Sequence, residues 1–388
     1  MLNRNFLASW MTLALLICAR DAVGGLPLAF ASYPELAAAV RQRIDVKAAP
    51  APTLGALARE ITPERADPRT RALALSDWVR TRIRHLDTGL RLDGAAPRPV
   101  AEVLARRDGT DEEIVALLQA LLAASGIDSM AALANRGDSY ALPDAPMPAA
   151  FDHMLVYLPG LDLYLDPATE TIGAGYLPPK LLGKPVLLAS GRFGMTPVTQ
   201  PQSVRATATV DIRRDGSGTV KLDRVYAGAL AEPARQAAGQ GAGQAAGTGD
   251  EFRVSQSAQS AHVVTLPGAL ATTFPSLSTI ANAMAGMPWE SSRSRVVACP
   301  AVDAADETRY QLPKKARVLA LPAPVSVVHG GVFYRAAYEK QGNAVLVKRR
   351  LTFRNGRPTC SPAEVRALQP ALERIARDLR TRITIAVR

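Results

Sequence analysis

The clearest hydrophobic pattern in the chain lies between Arg106 and Ile127. Within it, apolar side chains recur every three or four residues, at Ile114, Leu117, Leu118, Leu121 and Leu122. This spacing is typical of an amphipathic helix with one buried stripe. Thr110 is suited to cap the helix, Glu113 completes a capping box with it, and Gly126 is placed to end it. The pattern therefore predicts one capped helix.

The segments before this helix are predicted to be helical, and those after it to contain strands. Helices are expected over Tyr33–Ile44, Leu54–Ile61 and Arg69–Arg84. Strands are expected over Met130–Asn135, Phe151–Leu158 and Leu161–Asp166, and Thr169–Leu188 is expected to be irregular.

The last two of these strands place a histidine close to a carboxylate. If Pro159–Asp162 form a four-residue hairpin loop, Leu158 pairs with Leu163, and His153 lies diagonal to Asp166 on one face of the sheet. A histidine oriented by a carboxylate is half of a nucleophile, base and acid set. By itself, the pair is equally typical of a hairpin stabilised by a polar contact.

From about residue 200 the pattern changes to alternating strands. Ala206–Ile212 and Thr219–Tyr226 flank a glycine-rich turn, and later strands are expected at Val296–Cys299, Thr308–Leu312, Val318–Leu321, Phe333–Glu339 and Ala344–Phe353. The segment Ala234–Asp250 is of low complexity and predicts a mobile loop. Ser361 and Glu364 form a second capping box, which opens a terminal helix that Pro370 is expected to kink or split.

These elements predict an α+β protein with two domains after a leader. Residues 1–31 are interpreted as a signal peptide or leader, because Arg4 is followed by an apolar run that is too short to span a bilayer. Residues 32–200 form the first domain. Residues 201–388 form a β-sandwich-like domain with a C-terminal helix and a flexible loop near 234–250.

Cysteine content and charge narrow the cellular setting. Removal of the leader would leave only Cys299 and Cys360, and in an oxidising compartment such a pair favours a disulfide. The net charge of +11 comes mostly from arginines in every segment, without a basic run that interleaves with aromatic residues. This distribution disfavours nucleic-acid binding and favours a solvated surface with general affinity for anionic polymers. We expect a periplasmic or otherwise secreted protein with no stable membrane span after leader removal.

The order of several motifs resembles that of bacterial secreted transglutaminase-like proteins, which share the papain-like cysteine-protease fold. The matching pieces are Asp77-Trp78-Val79, Arg106-Arg107, Gly109, Leu117–Ile127, Phe151-Asp152-His153 and Tyr164-Leu165-Asp166-Pro167. The carboxyl-terminal half is similar to the β-domain that follows in the same proteins, at Cys299, Leu312-Pro313, Tyr334–Tyr338 and Thr359-Cys360-Ser361-Pro362. The resemblance, which covers about Ser32 to the end, implies a papain-like domain of helices packed on an antiparallel sheet. It would be a shortened form, without the further β-sandwich that members commonly carry.

The resemblance also implies a Cys–His–Asp triad, and here the sequence departs from the family. Aligned on Gly109, the family's Gly-Asp-Cys-Lys-Asp motif falls on residues 109–113, so that Asp111 occupies the position of the nucleophilic cysteine. His153 and Asp166 match the base and the orienting acid. A carboxylate cannot replace a thiolate in acyl transfer, because it would form an anhydride instead of a thioester. The three residues are therefore interpreted as a vestigial triad.

Three functional hypotheses follow from this departure. We favour a catalytically inactive pseudoenzyme of the cell envelope that binds a protein or peptide segment, with Asp111 and His153 as an ion pair. The alternative is a hydrolase or acyl transferase that acts on peptide amide bonds through non-thiol chemistry at Asp111, His153 and Asp166, with or without a divalent metal. The spacing does not favour a metal, since no second histidine is expected nearby. The third hypothesis is a gene product without a selected function. No cofactor is predicted.

Overall fold

The computed structural model describes residues 25–45, 51–62, 67–239, 244–246, 249–261, 263, 272–275, 278–285, 296–299 and 301–386. The predicted leader lies almost entirely outside these residues. Contacts between residues divide the chain into two compact units. The first unit comprises the chain up to Glu170 together with Ala174–Thr196, and the second comprises Thr171–Gly173 together with the chain from Pro197 onward. Across the described ranges, we find no helix with the length and apolar character needed to cross a membrane.

The first unit combines helices with an antiparallel sheet. Its helices are α1 (Tyr33–Asp45), α2 (Ala51–Ile61), α3 (Pro68–Arg82), α4 (Val100–Arg106) and α5 (Asp111–Ala124). Two short strands, β1 (Arg84–His85) and β2 (Asp108–Gly109), pair in parallel. The sheet contains β3 (Met130–Ala134), β4 (His153–Leu158), β5 (Leu163–Leu165), β6 (Pro185–Leu188) and β7 (Phe193–Met195), in the spatial order β5-β4-β3-β6-β7. Strand β6 lies in the segment Thr169–Leu188, which the sequence predicts to be irregular.

Helix α5 is buried on more sides than the predicted single stripe requires. The apolar stripe is buried as expected, but Val115 and Ala116 are buried as well. The helix contacts α1, α2, α3, α4 and β4. The stripe pattern assumes one solvent-facing side, whereas α5 is surrounded by its neighbours, so polar residues in its first turn are also removed from water.

The residues at the two ends of α5 explain where the helix begins and ends. The Glu113 carboxylate accepts a hydrogen bond from the backbone N–H of Thr110 at 3.0 Å, as the capping box requires. Gly126 has a φ of +69°, a left-handed conformation that glycine adopts without strain. A Cβ added at Gly109 would lie 3.2 Å from Ile114 Cγ1 and 3.3 Å from Val103 Cγ1. A larger residue there would therefore press α4 and α5 apart.

The second unit is built on a mixed eight-stranded sheet. Its strands are β8 (Gln202–Ile212), β9 (Gly218–Gly228), β10 (Gln244–Ala246), β11 (Glu251–Ser260), β14 (Val302–Gln311), β16 (Val325–His329), β17 (Val332–Gln341) and β18 (Ala344–Phe353). The spatial order is β10-β11-β9-β8-β14-β18-β17-β16, with β8 and β14 parallel. Smaller sheets are formed by β12 (Thr272–Pro275), β15 (Arg317–Ala320) and β20 (Arg382–Ala386), and by β13 (Val297–Ala298) and β19 (Thr359–Cys360). The helices are α6 (Ala231–Ala238), α7 (Ile280–Ala285) and α8 (Pro362–Leu379).

The second unit departs from its predicted form in three places. Helix α6 extends into the low-complexity segment Ala234–Asp250, which predicts a mobile loop, because alanines have high helix propensity; strand β10 lies within the same segment. Helix α8 continues through Pro370 as one helix, held on the sheet by Leu368, Ala371 and Ile375. One face of the large sheet packs against α7, α8 and β20, so that the facing layer is mostly helical and the expected β-sandwich describes it only in part.

Cys299 and Cys360 form a disulfide in the second unit, with their Cα atoms 5.0 Å apart. The bond joins β19 to the residue after β13, and these two strands pair with each other. It therefore fixes the start of α8, whose capping residue Ser361 follows Cys360 directly.

We predict that Arg43 on α1 is essential to the stability of the first unit. Its guanidinium Nη2 lies 3.0 Å from Glu112 Oε2 on α5, and both side chains are buried. Arg43→Ala would leave the Glu112 carboxylate buried and unpaired, and we expect the free energy of unfolding to fall by about 3 kcal/mol. Arg41→Ala, at an exposed position of the same helix, should change it by less than about 0.5 kcal/mol. Urea unfolding checks both variants, and equal losses would show that the buried pair contributes little.

Candidate functional site

Three consecutive carboxylates occupy the buried first turn of α5, and each has its own partner. Glu112 pairs with Arg43, and Glu113 pairs with Arg98 at 2.8 Å. Burial opposes the ionisation of Glu113, but hydrogen bonds from Arg98 and from the Thr110 backbone lower its pKa to about 2. Burial raises the pKa of Glu112 in spite of Arg43. The third carboxylate, Asp111, has histidine partners instead of an arginine.

Asp111, His153 and Asp166 come together at the start of α5. His153 Nδ1 lies 3.2 Å from Asp111 Oδ1, and His153 Nε2 lies 3.0 Å from Asp166 Oδ2. All three side chains are at most 3% exposed. The ring nitrogens and these oxygens do not meet hydrogen-bond geometry, so the contacts are charge interactions at ion-pair distance and not well-aligned hydrogen bonds.

The β4–β5 hairpin sets the position of the histidine and of one carboxylate. Leu158 pairs with Leu163 and Val156 with Leu165, which is the register expected from a four-residue loop. His153 is the first residue of β4 and Asp166 follows the last residue of β5, so the two lie diagonally across the hairpin. The Asp166 Oδ1 atom accepts a hydrogen bond from the backbone N–H of Ala168 at 3.2 Å, which fixes the carboxylate beside the ring.

A second histidine, His85, belongs to the same cluster and was missed by the sequence reasoning. Its Nε2 lies 3.4 Å from Asp111 Oδ2, and its side chain is 13% exposed. His85 reaches the site because β1 pairs in parallel with β2, directly before α5, with Leu86 donating to the Gly109 carbonyl at 2.8 Å. The expectation that no second histidine lies near Asp111 is therefore wrong. A strand of two residues has no periodicity from which its pairing could be predicted. The one available signal was that the chain has only four histidines, so that each of them is a candidate site residue.

The charges of the cluster decide its chemistry. Burial disfavours a charged imidazole, but the carboxylates of Asp166 and Asp111 outweigh burial and raise the pKa of His153 to about 9. Burial likewise opposes the ionisation of Asp111, yet His153 and His85 hold its pKa well below the usual range. At neutral pH, His153 is an imidazolium between two carboxylates. It already carries the proton that a general base would have to accept.

The cluster is not arranged as a metal site. His153 directs one ring nitrogen to each carboxylate, whereas a ligand would direct a lone pair at a cation shared with those carboxylates. Among the described residues, no group of three His, Cys, Asp or Glu side chains is gathered so that it could hold a metal ion. The geometry therefore gives no support to metal-assisted chemistry at Asp111, even though His85 adds a second imidazole.

A cavity of about 310 Å³ lies against the first turn of α5. Its walls are formed by Thr88–Arg91, Gly94–Arg98 and Thr110–Glu113. Two arginines hold its outer wall in place: Arg43 donates to the carbonyls of Gly94 and Ala95, and Arg98 pairs with Glu113. The volume is at the lower end of the range of small-ligand pockets and suits one side chain of a bound segment.

The charge on His153 predicts a specific pH dependence of stability. Because the pKa is raised from 6.5 to about 9 in the folded state, the stabilisation is complete below pH 6.5 and is lost as the pH rises through 9. The difference in unfolding free energy between the wild type and His153→Gln should therefore shrink by about 3 kcal/mol over this interval. His329→Gln, at an exposed histidine of the second unit, controls for the loss of a histidine as such. Denaturant titrations at a series of pH values measure the difference, and a difference independent of pH would contradict the assigned charge.

Comparison with solved structures gives one similarity that supports the fold. The chain is similar to the crystal structure of a "putative protease" from Parabacteroides distasonis, with a TM-score of 0.62 and 16% sequence identity. The similarity covers 92% of this chain and 59% of that one, so this chain spans about 59% of the length of its structural relative. No family model and no curated protein matches the sequence. At this level of identity the likeness shows the fold alone, which is a mixed α+β architecture.

Proposed function

We propose that this chain is a transglutaminase-like protein of the cell envelope whose catalytic centre is inactive and whose first unit binds a protein or peptide segment. The observation that carries the proposal is the buried Asp111–His153–Asp166 cluster at the start of α5. In the papain-like arrangement that the sequence resembles, the nucleophile opens a central helix, and the base and the acid stand on neighbouring strands. Asp111 opens α5, His153 opens β4 and Asp166 follows β5 directly, and this order supports the proposal.

Three properties of the cluster argue against turnover. The group at the nucleophile position is a carboxylate whose pKa is lowered, which makes it a weak nucleophile towards an amide. The imidazolium beside it stabilises this carboxylate as an anion and has no thiol to activate. Both side chains are almost completely buried, so that a substrate carbonyl cannot approach them without a rearrangement of the surrounding residues. An active cysteine centre has instead a thiolate, paired with an imidazolium, that a substrate can reach.

The binding role rests on the cavity beside the cluster. Gly94–Pro97 line the cavity outside any helix or strand, and such a segment is suited to contact a bound peptide chain. The buried pairs of Arg43 and Arg98 hold this wall without any ligand, and a wall that is already ordered reduces the entropy lost on binding. The Cys299–Cys360 disulfide suits an oxidising compartment and supports the envelope as the setting.

The position of Asp111 can be tested by placing a cysteine there. In Asp111→Cys the introduced thiol would lie beside the His153 ring, and the imidazolium should lower the thiol pKa by one unit or more from about 8.5. The ultraviolet absorbance of the thiolate, followed against pH, measures this value. The wild type, assayed beside it with glutaminyl and peptide amide substrates, should show no turnover above background.

The matched control is the double variant Asp111→Cys with His153→Ala, in which the thiol pKa should return to or above that of free cysteine. Cys18, Cys299 and Cys360 are present in every variant, so the wild-type titration is subtracted as the baseline. An introduced thiol with an ordinary pKa in the presence of His153 would contradict the placement of Asp111 at the nucleophile position. Wild-type turnover that is lost in Asp111→Asn would contradict the inactive centre.

A further inference from the structure

The outward face of the eight-stranded sheet carries a row of arginines that the proposed function does not use. Strand pairing places Arg335 of β17 opposite Arg350 of β18, and Arg350 opposite Ala305 of β14. Ala305 in turn pairs with Arg205 of β8. The row continues through Val225 of β9 to Arg253 of β11. We call Arg335, Arg350, Arg205 and Arg253 the arginine row.

The arginine row is exposed and only partly neutralised. All four of its side chains are exposed, and the two intervening residues, Ala305 and Val225, are small or half-buried. Arg350 pairs with Asp303 at 3.4 Å and Arg205 donates to Ser203. Arg335 and Arg253 have no ion-pair partner among the residues that the structure describes. Since neighbouring strands are about 4.8 Å apart, the row extends for about 24 Å across the strands.

The rows on either side contain carboxylates, of which Glu307 is paired with Lys348 of the same row at 3.5 Å and Asp303 is paired with Arg350. Asp303 and Glu251 lie two residues from the arginine row along their strands in one direction. Glu307 and Asp223 lie two residues from it in the other direction. An anionic bilayer would cover all three rows and would meet these carboxylates as well as the arginines. A single extended chain that lies along the row meets mainly the arginines, and Glu251 and Asp223 repel an anion that strays from the row near β9 and β11.

One end of the row adjoins an exposed apolar pair. Phe333 lies two residues from Arg335 on β17, and its cross-strand partner is Val328 of the edge strand β16. Phe333 is 51% exposed and Val328 is 69% exposed. A polypeptide can present an apolar side chain next to its carboxylates, whereas an inorganic phosphate polymer has no apolar group for such a contact.

We infer that this face of the second unit is a docking surface for an acidic polypeptide segment, separate from the cavity of the first unit. The segment lies across the strands, its carboxylates meet the arginine row in the fork geometry that guanidinium favours, and an apolar residue at one end covers Phe333 and Val328. The arginine row supplies the charge complementarity, and the exposed apolar pair at its end favours a peptide that carries an apolar side chain.

The test uses the full chain and a fluorescent oligo-glutamate peptide that ends in phenylalanine, with binding followed by fluorescence polarisation at low salt. We expect the triple variant Arg335→Gln, Arg205→Gln, Arg253→Gln to bind about tenfold more weakly than the wild type, as three exposed contacts of about 0.5 kcal/mol each predict. The matched control Lys221→Gln, Lys348→Gln, Arg309→Gln removes the same charge from exposed positions of the same face, outside the row. It should weaken binding by less than about threefold.

One further variant and further probes complete the test. Phe333→Ser should weaken the phenylalanine-ended peptide and leave an all-glutamate peptide unchanged, and thermal unfolding of each variant confirms that it is folded. Equal weakening by the two triple variants would show that net charge alone attracts the peptide and would overturn the inference. The inference would also fail if the wild type did not bind the peptide. It would fail as well if polyphosphate, heparin or anionic vesicles bound more tightly than the peptide and the triple variant of the arginine row weakened that binding.

Discussion

The burial of three consecutive carboxylates at the start of α5 is the constraint on which the first unit depends. A carboxylate removed from water must be paired or neutralised, and each of these recruits a group from a different part of the chain. Glu112 holds Arg43 of α1, Glu113 holds Arg98 before α4, and Asp111 holds His153 of the sheet. The helix N-terminus also favours negative charge at this place. One turn of helix thus ties together α1, the loop before α4, and the sheet.

The same pairing explains why the site is proposed to be inactive. A cysteine at this position could give its proton to the neighbouring histidine and act as a thiolate nucleophile, and the imidazolium could then pass that proton to a leaving group. A carboxylate lowers the free energy of the imidazolium, and Asp166 on the other side of the ring lowers it further. The proton that a catalytic base would transfer is held by both neighbours. Stability and reactivity are therefore opposed at His153, and a carboxylate at position 111 favours stability.

Features fixed by neighbouring residues could be predicted from the sequence, and features fixed by distant residues could not. The caps of α5 and the register of the β4–β5 hairpin depend on a few adjacent residues, so the predicted contact between His153 and Asp166 is present. The pairing of β1 with β2 joins two dipeptides that have no pattern of their own, and with it His85 was missed. The partners of Glu112 and Glu113 lie in loops and on another helix, and no periodicity marks them. In the second unit, the packing of Leu368 and Ile375 on the sheet keeps α8 continuous through Pro370, which local propensity alone does not predict.

The protonation state of His153 at neutral pH tests the central claim most directly. Nuclear magnetic resonance of protein labelled at histidine, with His153 assigned by its loss in His153→Gln, follows the ring nitrogens as a function of pH. The account predicts an imidazolium throughout the neutral range and a pKa of about 9. A neutral ring at pH 7, with a pKa at or below the ordinary value of about 6.5, would contradict it, because such a histidine would be free to act as a base.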